Sequence, residues 1–281
     1  MPLNPELNNN IEKVKNYVDD PSNTYAVWRA SSLTTDLETP FTQFIGASTI
    51  SYPVMPFNND ELEDYSRTSG FQRTDAVLER KELTVTQDKG YQMGIDYLDL
   101  ADSHTTAVAY YNNAIRQKDV PSIDKYRLAK LVAGAGETAT GATTKSNFFT
   151  QYDAAVAKAI DNEIPLGGSI LYVSTGTYTA MKNAEEVKRV ITMQDKNIDR
   201  NVEYLDSTTK IVVVPATRMP SNTEWILVQP AAVICGVKHS VARFVTEPED
   251  FDGVLINRRI VHDLFVQEDR AKGVFVQKTS E

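Results

Sequence analysis

Cysteine is nearly absent from this chain of 281 residues. Cys235 is the only one, which excludes an internal disulfide framework and is typical of a reducing compartment. Long apolar runs are also missing. The longest, residues 231–237, is far shorter than the ~20 residues that a membrane-spanning helix needs, so we expect no membrane partner. The N-terminal sequence MPLNPELNNN has no basic start and no apolar stretch, so we expect no secretory signal there.

Positive charge is in short supply. Lys and Arg number 29 against 38 Asp and Glu, which gives a net charge of −9 and a pI near 5.0. A chain with this balance offers no electrostatic footprint for gripping a phosphate backbone, so specific binding to nucleic acid is not expected. The hydrophobic fraction of 41% is ordinary for a globular protein and excludes a fully disordered chain.

Motifs that hold metals or nucleotides are not evident. The histidines His104, His239 and His262 are far apart and lack metal-ligand spacing. Residues 134–139 (GAGETA) fit a loose dinucleotide fingerprint, but they follow a predicted helix instead of a strand. We therefore interpret Gly134 as a helix-ending glycine in the left-handed conformation, and residues 134–145 as a small-residue connector. We expect no cofactor and no metal.

A catalytic constellation is equally hard to find. Cys235 lies in an apolar run and is interpreted as a small buried hydrophobe. His262 and Asp263 are neighbours on a predicted strand, so their side chains point to opposite faces. One alternative stays open at this point, namely an α/β enzyme with a cleft that joins Asp153, His239 and His262.

The first 57 residues combine many prolines and aromatic side chains with little periodicity. Aromatic residues such as Tyr25 and Trp28 need a surface on which to pack. That surface belongs either to the chain's own domain or to a neighbouring subunit. A long segment without regular structure is uncommon inside a compact domain, which favours the neighbouring subunit.

A period-two pattern predicts a β-hairpin over residues 83–95. Its turn is placed at residues 87–90, where Gly90 is expected to adopt a positive φ. Residues 58–100 contain ten acidic and five basic side chains, so we expect the hairpin to project from the body. Lys81, Asp88 and Lys89 lie on this charged segment.

Helical periodicity follows the hairpin. It predicts a helix over residues 103–133 with its N-cap at Asp102 and Ser103, which Pro121 kinks or restarts. Residues 147–240 are predicted to form a compact α/β unit, with helices at 148–162 and 178–190 and strands at 170–173, 211–214 and 225–228. Residues 241–246, 254–267 and 273–277 predict consecutive antiparallel strands.

This order of elements resembles the major capsid proteins of tailed bacteriophages, which have the Hong Kong 97-type fold. The resemblance is most specific over residues 83–131, where LTVTQDKGYQMGIDYLD is similar to half of the family's hairpin and VPSIDKYRLAKL to the end of its spine helix. It implies an α+β fold in four parts. These are an N-terminal arm (1–57), an extended hairpin or E-loop (58–100), a peripheral (P) domain with a long spine helix and antiparallel sheet (101–146 and 241–281), and an α/β axial (A) domain (147–240).

The function implied by the resemblance is structural, not enzymatic. Copies of the chain are expected to assemble in the host cytoplasm into hexamers and pentamers of an icosahedral shell, which becomes the virion capsid and encloses double-stranded DNA without binding it specifically. A portal protein is an expected partner, as is a separate scaffolding protein, because the arm begins almost at once. The expected intersubunit contacts are Tyr25, Trp28, Lys81, Asp88, Lys89 and Gly90. No asparagine is assigned as a cross-linking partner of Lys81 or Lys89.

Two further alternatives share this order of elements. A cellular nanocompartment shell of the same fold would be recognised by cargo enzymes that purify with it. A tail or connector protein would form rings or tubes instead of closed shells.

Overall fold

The computed structural model describes residues 31–38, 44–45, 48–54, 65, 67–68, 79–103, 106–184, 187, 202–246 and 248–279. Tyr25 and Trp28 lie outside the described residues. The strands are β1 (Phe44–Ile45), β2 (Thr49–Val54), β3 (Glu79–Thr84), β4 (Gln87–Asp96), β5 (Glu137–Thr140), β6 (Ile170–Ser174), β7 (Tyr204–Leu205), β8 (Thr209–Val214), β9 (Thr223–Val228), β10 (Val233–Val245), β11 (Gly253–Val266) and β12 (Val274–Lys278). Within the described residues, the α-helices with defined bounds are α1 (Tyr97–Ser103), α2 (Ala107–Ala114), α3 (Val120–Ala133), α4 (Phe148–Asp161) and α5 (Thr175–Lys182).

These strands form three sheets. The small sheet has the order β1-β2-β3 and is antiparallel. The long-stranded sheet has the order β10-β11-β4 and is also antiparallel. The six-stranded sheet, in the order β5-β12-β9-β6-β8-β7, is mixed, because β12 runs parallel to β5 and β6 runs parallel to β8. The α+β class expected from the sequence is therefore confirmed.

The six-stranded sheet separates two apolar clusters. Leu171 and Val173 on one face of β6 pack with the α4 residues Phe148 and Tyr152. Ile170 and Tyr172 on the other face pack towards α3, the start of β10 and the end of β11. Successive side chains of a strand point to opposite faces, so a central strand that is covered on both sides has to be apolar throughout. This requirement explains the run predicted as a buried strand at residues 170–173.

The spine helix, residues 107–133, consists of α2, a π-helical turn (Ile115–Asp119) and α3. Thr106 caps its N-terminus, because its hydroxyl accepts a hydrogen bond from the backbone N–H of Ala109 at 3.2 Å. The cap predicted at Asp102 and Ser103 is wrong, since these residues belong to α1. The helix does not end and restart at Pro121, because Ala114, Asp119 and Val120 all have right-handed helical backbone angles. Proline has no N–H to donate, and here it occupies the first turn of α3, directly after the π-helical turn.

The hairpin predicted over residues 83–95 is wrong. β3 pairs with β2, and β4 pairs with β11, so the two halves enter different sheets. Gly90 lies inside β4 opposite Arg259, and the described glycines with positive φ are Gly141 and Gly168. Glycine is required at position 90 for another reason: a Cβ there would approach the carbonyl oxygen of Arg258 to 2.8 Å. An alternating pattern shows that a segment is a strand, but not which strand pairs with it.

Three smaller expectations are also corrected. Gly134 ends α3 with φ −94°, outside the left-handed region; a Cβ there would lie 2.8 Å from the side chain of Val266, so close packing explains the glycine. The connector at residues 134–145 contains the edge strand β5. The last strand, β12, was expected beside β11, but it lies between β9 and β5 in the six-stranded sheet. The 3-10 turn Glu268–Gly273 carries the chain from one sheet to the other.

Candidate intersubunit surfaces

Residues 31–38, in the predicted arm, cross the spine helix of their own subunit. The fully buried carboxylate of Asp124 accepts hydrogen bonds from the Leu33 backbone N–H at 3.1 Å and from the Thr34 hydroxyl at 2.9 Å. The guanidinium of Arg218 lies 2.9 Å from the same carboxylate. Buried charges persist only when they are paired and hydrogen-bonded, and Asp124 meets both conditions.

A second buried charge lies one helical turn along α3. Arg127 is fully buried, and its Nη1 donates to the Thr34 hydroxyl at 3.0 Å and to a carboxylate oxygen of Glu38 at 2.8 Å. The side chain of Leu37 enters the apolar cluster beside α3. Residues 31–38 therefore pack on the chain's own domain, which is the first of the two interpretations that the sequence left open. We call this segment the arm root.

The chain passes from the small sheet to the long-stranded sheet at Val85 and Thr86. The fully buried carboxylate of Asp263 on β11 accepts hydrogen bonds from the Thr86 backbone N–H at 2.7 Å and from its hydroxyl at 3.0 Å. Tyr126 of α3 donates to the other oxygen of Asp263 at 2.8 Å. One carboxylate therefore connects this junction, the long-stranded sheet and the spine helix.

Lys81, one of the predicted contact residues, makes an ion pair within its own chain. Its ammonium group lies 3.0 Å from Asp269 and 3.5 Å from Glu268, both in the 3-10 turn that precedes β12. The hydrogen bond to Asp269 is the main cause that raises the pKa of Lys81. The ion pair therefore directs the Lys81 side chain from β3 towards the 3-10 turn.

The other predicted contact residues of this segment lie on β4. Arg259 of the neighbouring strand holds Asp88 in a bidentate ion pair, and its hydrogen bonds lower the pKa of that carboxyl. Lys89 and Gly90 are exposed on the same strand. The structure thus spreads Lys81, Asp88, Lys89 and Gly90 over two sheets instead of gathering them at a turn. Their role in contacts between subunits stays a prediction.

Exposed apolar side chains occur together where α1 meets the end of β10. Leu98 is 73% exposed, and Tyr97 beside it donates a hydrogen bond to the carbonyl of Thr246. Phe244 and Val245 are also exposed at this end of β10. Exposed apolar groups that lie near one another are typical of an interaction site. We call Tyr97, Leu98, Phe244 and Val245 the apolar end patch. The sequence did not predict this patch, because the identity of a residue does not show whether its side chain is exposed or buried.

The three residues of the enzyme alternative are not brought together. His262 is buried in the long-stranded sheet, edge-on to Tyr126, and burial lowers its pKa to about 4. His239 is exposed on the neighbouring strand β10, and Asp153 is exposed on α4, which packs on the six-stranded sheet. Cys235 is fully buried, as predicted, and burial raises its pKa to about 12, so its thiol is not a ready nucleophile.

In the part of the chain that the structure describes, no group of three or more histidine, cysteine or acidic side chains is arranged to hold a metal ion. None of the helices in that part of the chain has the length and apolarity needed to span a bilayer.

Comparison with known proteins identifies the fold. No protein-family model matches the chain, and no curated protein matches it in sequence. Solved structures do match. The capsid of cyanophage P-SCSP1u superposes with a TM-score of 0.69 at 12% identity, over 90% of this chain and 89% of that chain. A structure from Mycobacterium phage Che8 gives a TM-score of 0.63 at 14% identity, over 89% and 92% of the two chains.

A third match is the virus-like particle from Pyrococcus furiosus, with a TM-score of 0.56 at 11% identity over 95% of this chain and 98% of that chain. Together these matches confirm the fold expected from the resemblance. The chain has the α+β fold of tailed-phage major capsid proteins, the Hong Kong 97-type fold.

Proposed function

We propose that this chain is a major capsid protein, which assembles into the hexamers and pentamers of an icosahedral shell around a phage genome. The observation that carries the proposal is the match to the capsid of cyanophage P-SCSP1u, which extends over about nine tenths of both chains. A match of this extent involves most of the chain rather than a single shared motif.

Features of the subunit itself support a role in assembly. The apolar end patch and the small sheet offer surfaces that a neighbouring copy would cover. The net charge of −9 disfavours adhesion of double-stranded DNA to the shell, so packaged DNA would remain free to move. The protein would be structural rather than enzymatic, and would reside in the virion after assembly in the host cytoplasm. Scaffolding and portal proteins are its proposed partners.

Electron microscopy of the assembled protein tests the proposal. The chain is expressed with its neighbouring genes, so that a scaffolding protein is supplied, and particles are separated by sedimentation. Closed icosahedral shells are expected. A compact monomer in every fraction would contradict the proposal, and rings or tubes would favour a tail or connector protein.

The apolar end patch provides a sharper test at the level of one residue. Leu98→Asp places a charge on a side chain that is 73% exposed, so the folded subunit tolerates it, whereas a covered contact does not. We expect unchanged thermal unfolding of the subunit and a loss of shells. Ile160→Asp, at a similarly exposed apolar site on α4, is the matched control; equal loss from both variants would show that this patch has no special role.

A cellular nanocompartment is the second candidate, because the chain also matches the virus-like particle from Pyrococcus furiosus over 95% of its length. The contents of purified shells separate the two functions. Nuclease-protected double-stranded DNA would support a phage capsid, whereas a stoichiometric enzyme cargo would support a nanocompartment.

A further inference from the structure

Among the contacts between the small sheet and the rest of the described subunit, two differ in character. The first is the junction at Thr86, whose backbone N–H and hydroxyl both donate to Asp263. The second is the ion pair between Lys81 on β3 and the acidic residues Glu268 and Asp269.

The junction is the firmer contact. Asp263 is fully buried and also accepts hydrogen bonds from Tyr126 and from the backbone N–H of Leu264. Breaking this set would leave a charge without partners in the interior, which is strongly unfavourable. The ion pair is weaker, because the side chains of Lys81, Asp269 and Glu268 are 33%, 48% and 86% exposed. Exposed ion pairs stabilise little and are screened by salt.

An open groove separates the small sheet from the body beside this ion pair. Its volume is about 530 Å³. Tyr52, Lys81 and Leu83 line it from the small sheet, and Gly134 and Val266 line it from the spine helix and β11. Closely packed interfaces resist displacement, whereas this one leaves room for the small sheet to move.

We propose that Lys81, Glu268 and Asp269 form an electrostatic latch, and that the small sheet turns about the Thr86–Asp263 junction when the latch opens. The latch sets the angle of the small sheet, and the junction keeps the sheet attached at every angle. This inference concerns the single subunit and does not depend on the proposed shell.

Distance measurement between two spin labels tests the latch. One label is placed at Glu79→Cys, an exposed site at the far end of β3, roughly 20 Å along the strand from Thr86. The other is placed at Lys125→Cys, an exposed site on α3. Cys235 is fully buried and does not compete for the label. Labelled protein is diluted into an excess of unlabelled protein so that only distances within one chain are recorded by double electron–electron resonance.

Lys81→Gln in this background is expected to increase the weight of a second distance about two- to fivefold, the change that corresponds to loss of an exposed ion pair. High salt is expected to act in the same direction on the protein with Lys81. The exchanged pair Lys81→Glu with Asp269→Lys should restore the first distance. Lys89→Gln is the matched control, because it removes the same charge from exposed β4 and leaves the latch intact.

Three results would overturn the proposal. In the first, the distance distributions with Lys81 and with Lys81→Gln are the same at low and high salt. In the second, Lys89→Gln changes the distribution as much as Lys81→Gln does. In the third, the exchanged pair does not restore the first distance. The last two results would show that net charge, rather than this ion pair, sets the angle.

Discussion

Asp124 on α3 and Arg218 in the segment after β8 form a buried ion pair, with 2.9 Å between the carboxylate oxygen and Nη1. Asp124 also binds Leu33 and Thr34 of the arm root. A single carboxylate thereby holds together three parts of the chain, each about ninety residues along the sequence from the next. Such a connection makes the arm root, the spine helix and the six-stranded sheet one mechanical unit.

Removal of this carboxylate should be costly. Asp124→Ala removes the carboxylate that pairs with the buried Arg218 cation, and we expect the free energy of unfolding to fall by about 3–5 kcal/mol. Urea unfolding of the unassembled protein measures this, with Asp153→Ala as an exposed control that changes stability by no more than about 0.5 kcal/mol. The double variant Asp124→Ala with Arg218→Ala should lose less than the sum of the two single losses. Strictly additive losses would contradict a direct interaction.

Gly90 gives a prediction that reverses the expectation from sequence. Gly90→Ala brings a Cβ to 2.8 Å from the carbonyl oxygen of Arg258, so β4 has to shift away from β11. We expect a loss of about 1–3 kcal/mol in the unassembled subunit. Gly167→Ala is the matched control, because nothing lies within 4 Å of its added Cβ. If both variants unfold at the same urea concentration as the unmodified protein, the close approach at Gly90 has no energetic consequence.

The sequence predicted local structure well and pairing poorly. The helix at residues 148–161 and the strands around Leu171 and Trp225 follow from apolar periodicity, which needs only neighbouring residues. The partner of β4 is β11, more than 150 residues further along the chain, and nothing in the alternation of residues 91–95 encodes that distance. The same limit explains why β12 was expected in the wrong sheet.

The contact role of Lys81, Asp88, Lys89 and Gly90 follows only from the resemblance and stays a prediction. The buried carboxylates were not predicted from the sequence. Asp124 and Asp263 are each surrounded by ordinary helix or strand residues, and acidic side chains are usually exposed. Their burial depends on Arg218, Thr34, Thr86 and Tyr126, which tertiary folding brings to them. The spacing of apolar residues within one segment does not indicate which distant residues will contact it.

His262 predicts a specific dependence of stability on pH. Burial lowers its pKa to about 4, and the positive charge of Arg127 acts in the same direction, against the opposing effect of Asp263. In the unfolded chain histidine titrates near pH 6.5, so between these values the unfolded chain binds a proton that the folded chain does not. The stabilisation is therefore complete above pH 6.5 and is lost as the pH falls towards 4, by about 3 kcal/mol in total.

His262→Phe should remove this part of the pH dependence. Phenylalanine can keep the edge-on contact with Tyr126, and Nδ1 of His262 makes no hydrogen bond to the described residues that the change would lose. Chemical unfolding at pH 4.5 and pH 7 measures the difference, with the exposed His239→Phe as control. We expect the variant to gain stability relative to the unmodified protein as the pH falls. A difference that is the same at both pH values would contradict the role of His262.

The last prediction separates the two parts of the arm. Deletion of residues 1–30 retains every contact of the arm root with Asp124 and Arg127, so the free energy of unfolding should change by less than about 1 kcal/mol. Deletion of residues 1–38 also removes Thr34, Leu37 and Glu38, and leaves both buried charges short of partners. We expect this longer deletion to lose about 3–5 kcal/mol, or to prevent folding.

Assembly should respond to the shorter deletion. If Tyr25 and Trp28 lie across a neighbouring subunit, as the sequence predicts, their burial contributes to contacts between subunits and not to the isolated fold. The subunit without residues 1–30 should therefore fold with an unchanged far-UV spectrum and yet form no intact shells, and Trp28→Ala should weaken assembly in the same direction to a smaller degree. Unfolding of the shorter deletion would place residues 1–30 in the core of their own subunit, because the arm root is still present. Normal shells without these residues would contradict their packing on a neighbour, since a contact that buries two aromatic side chains cannot be removed without weakening the interface it stabilises.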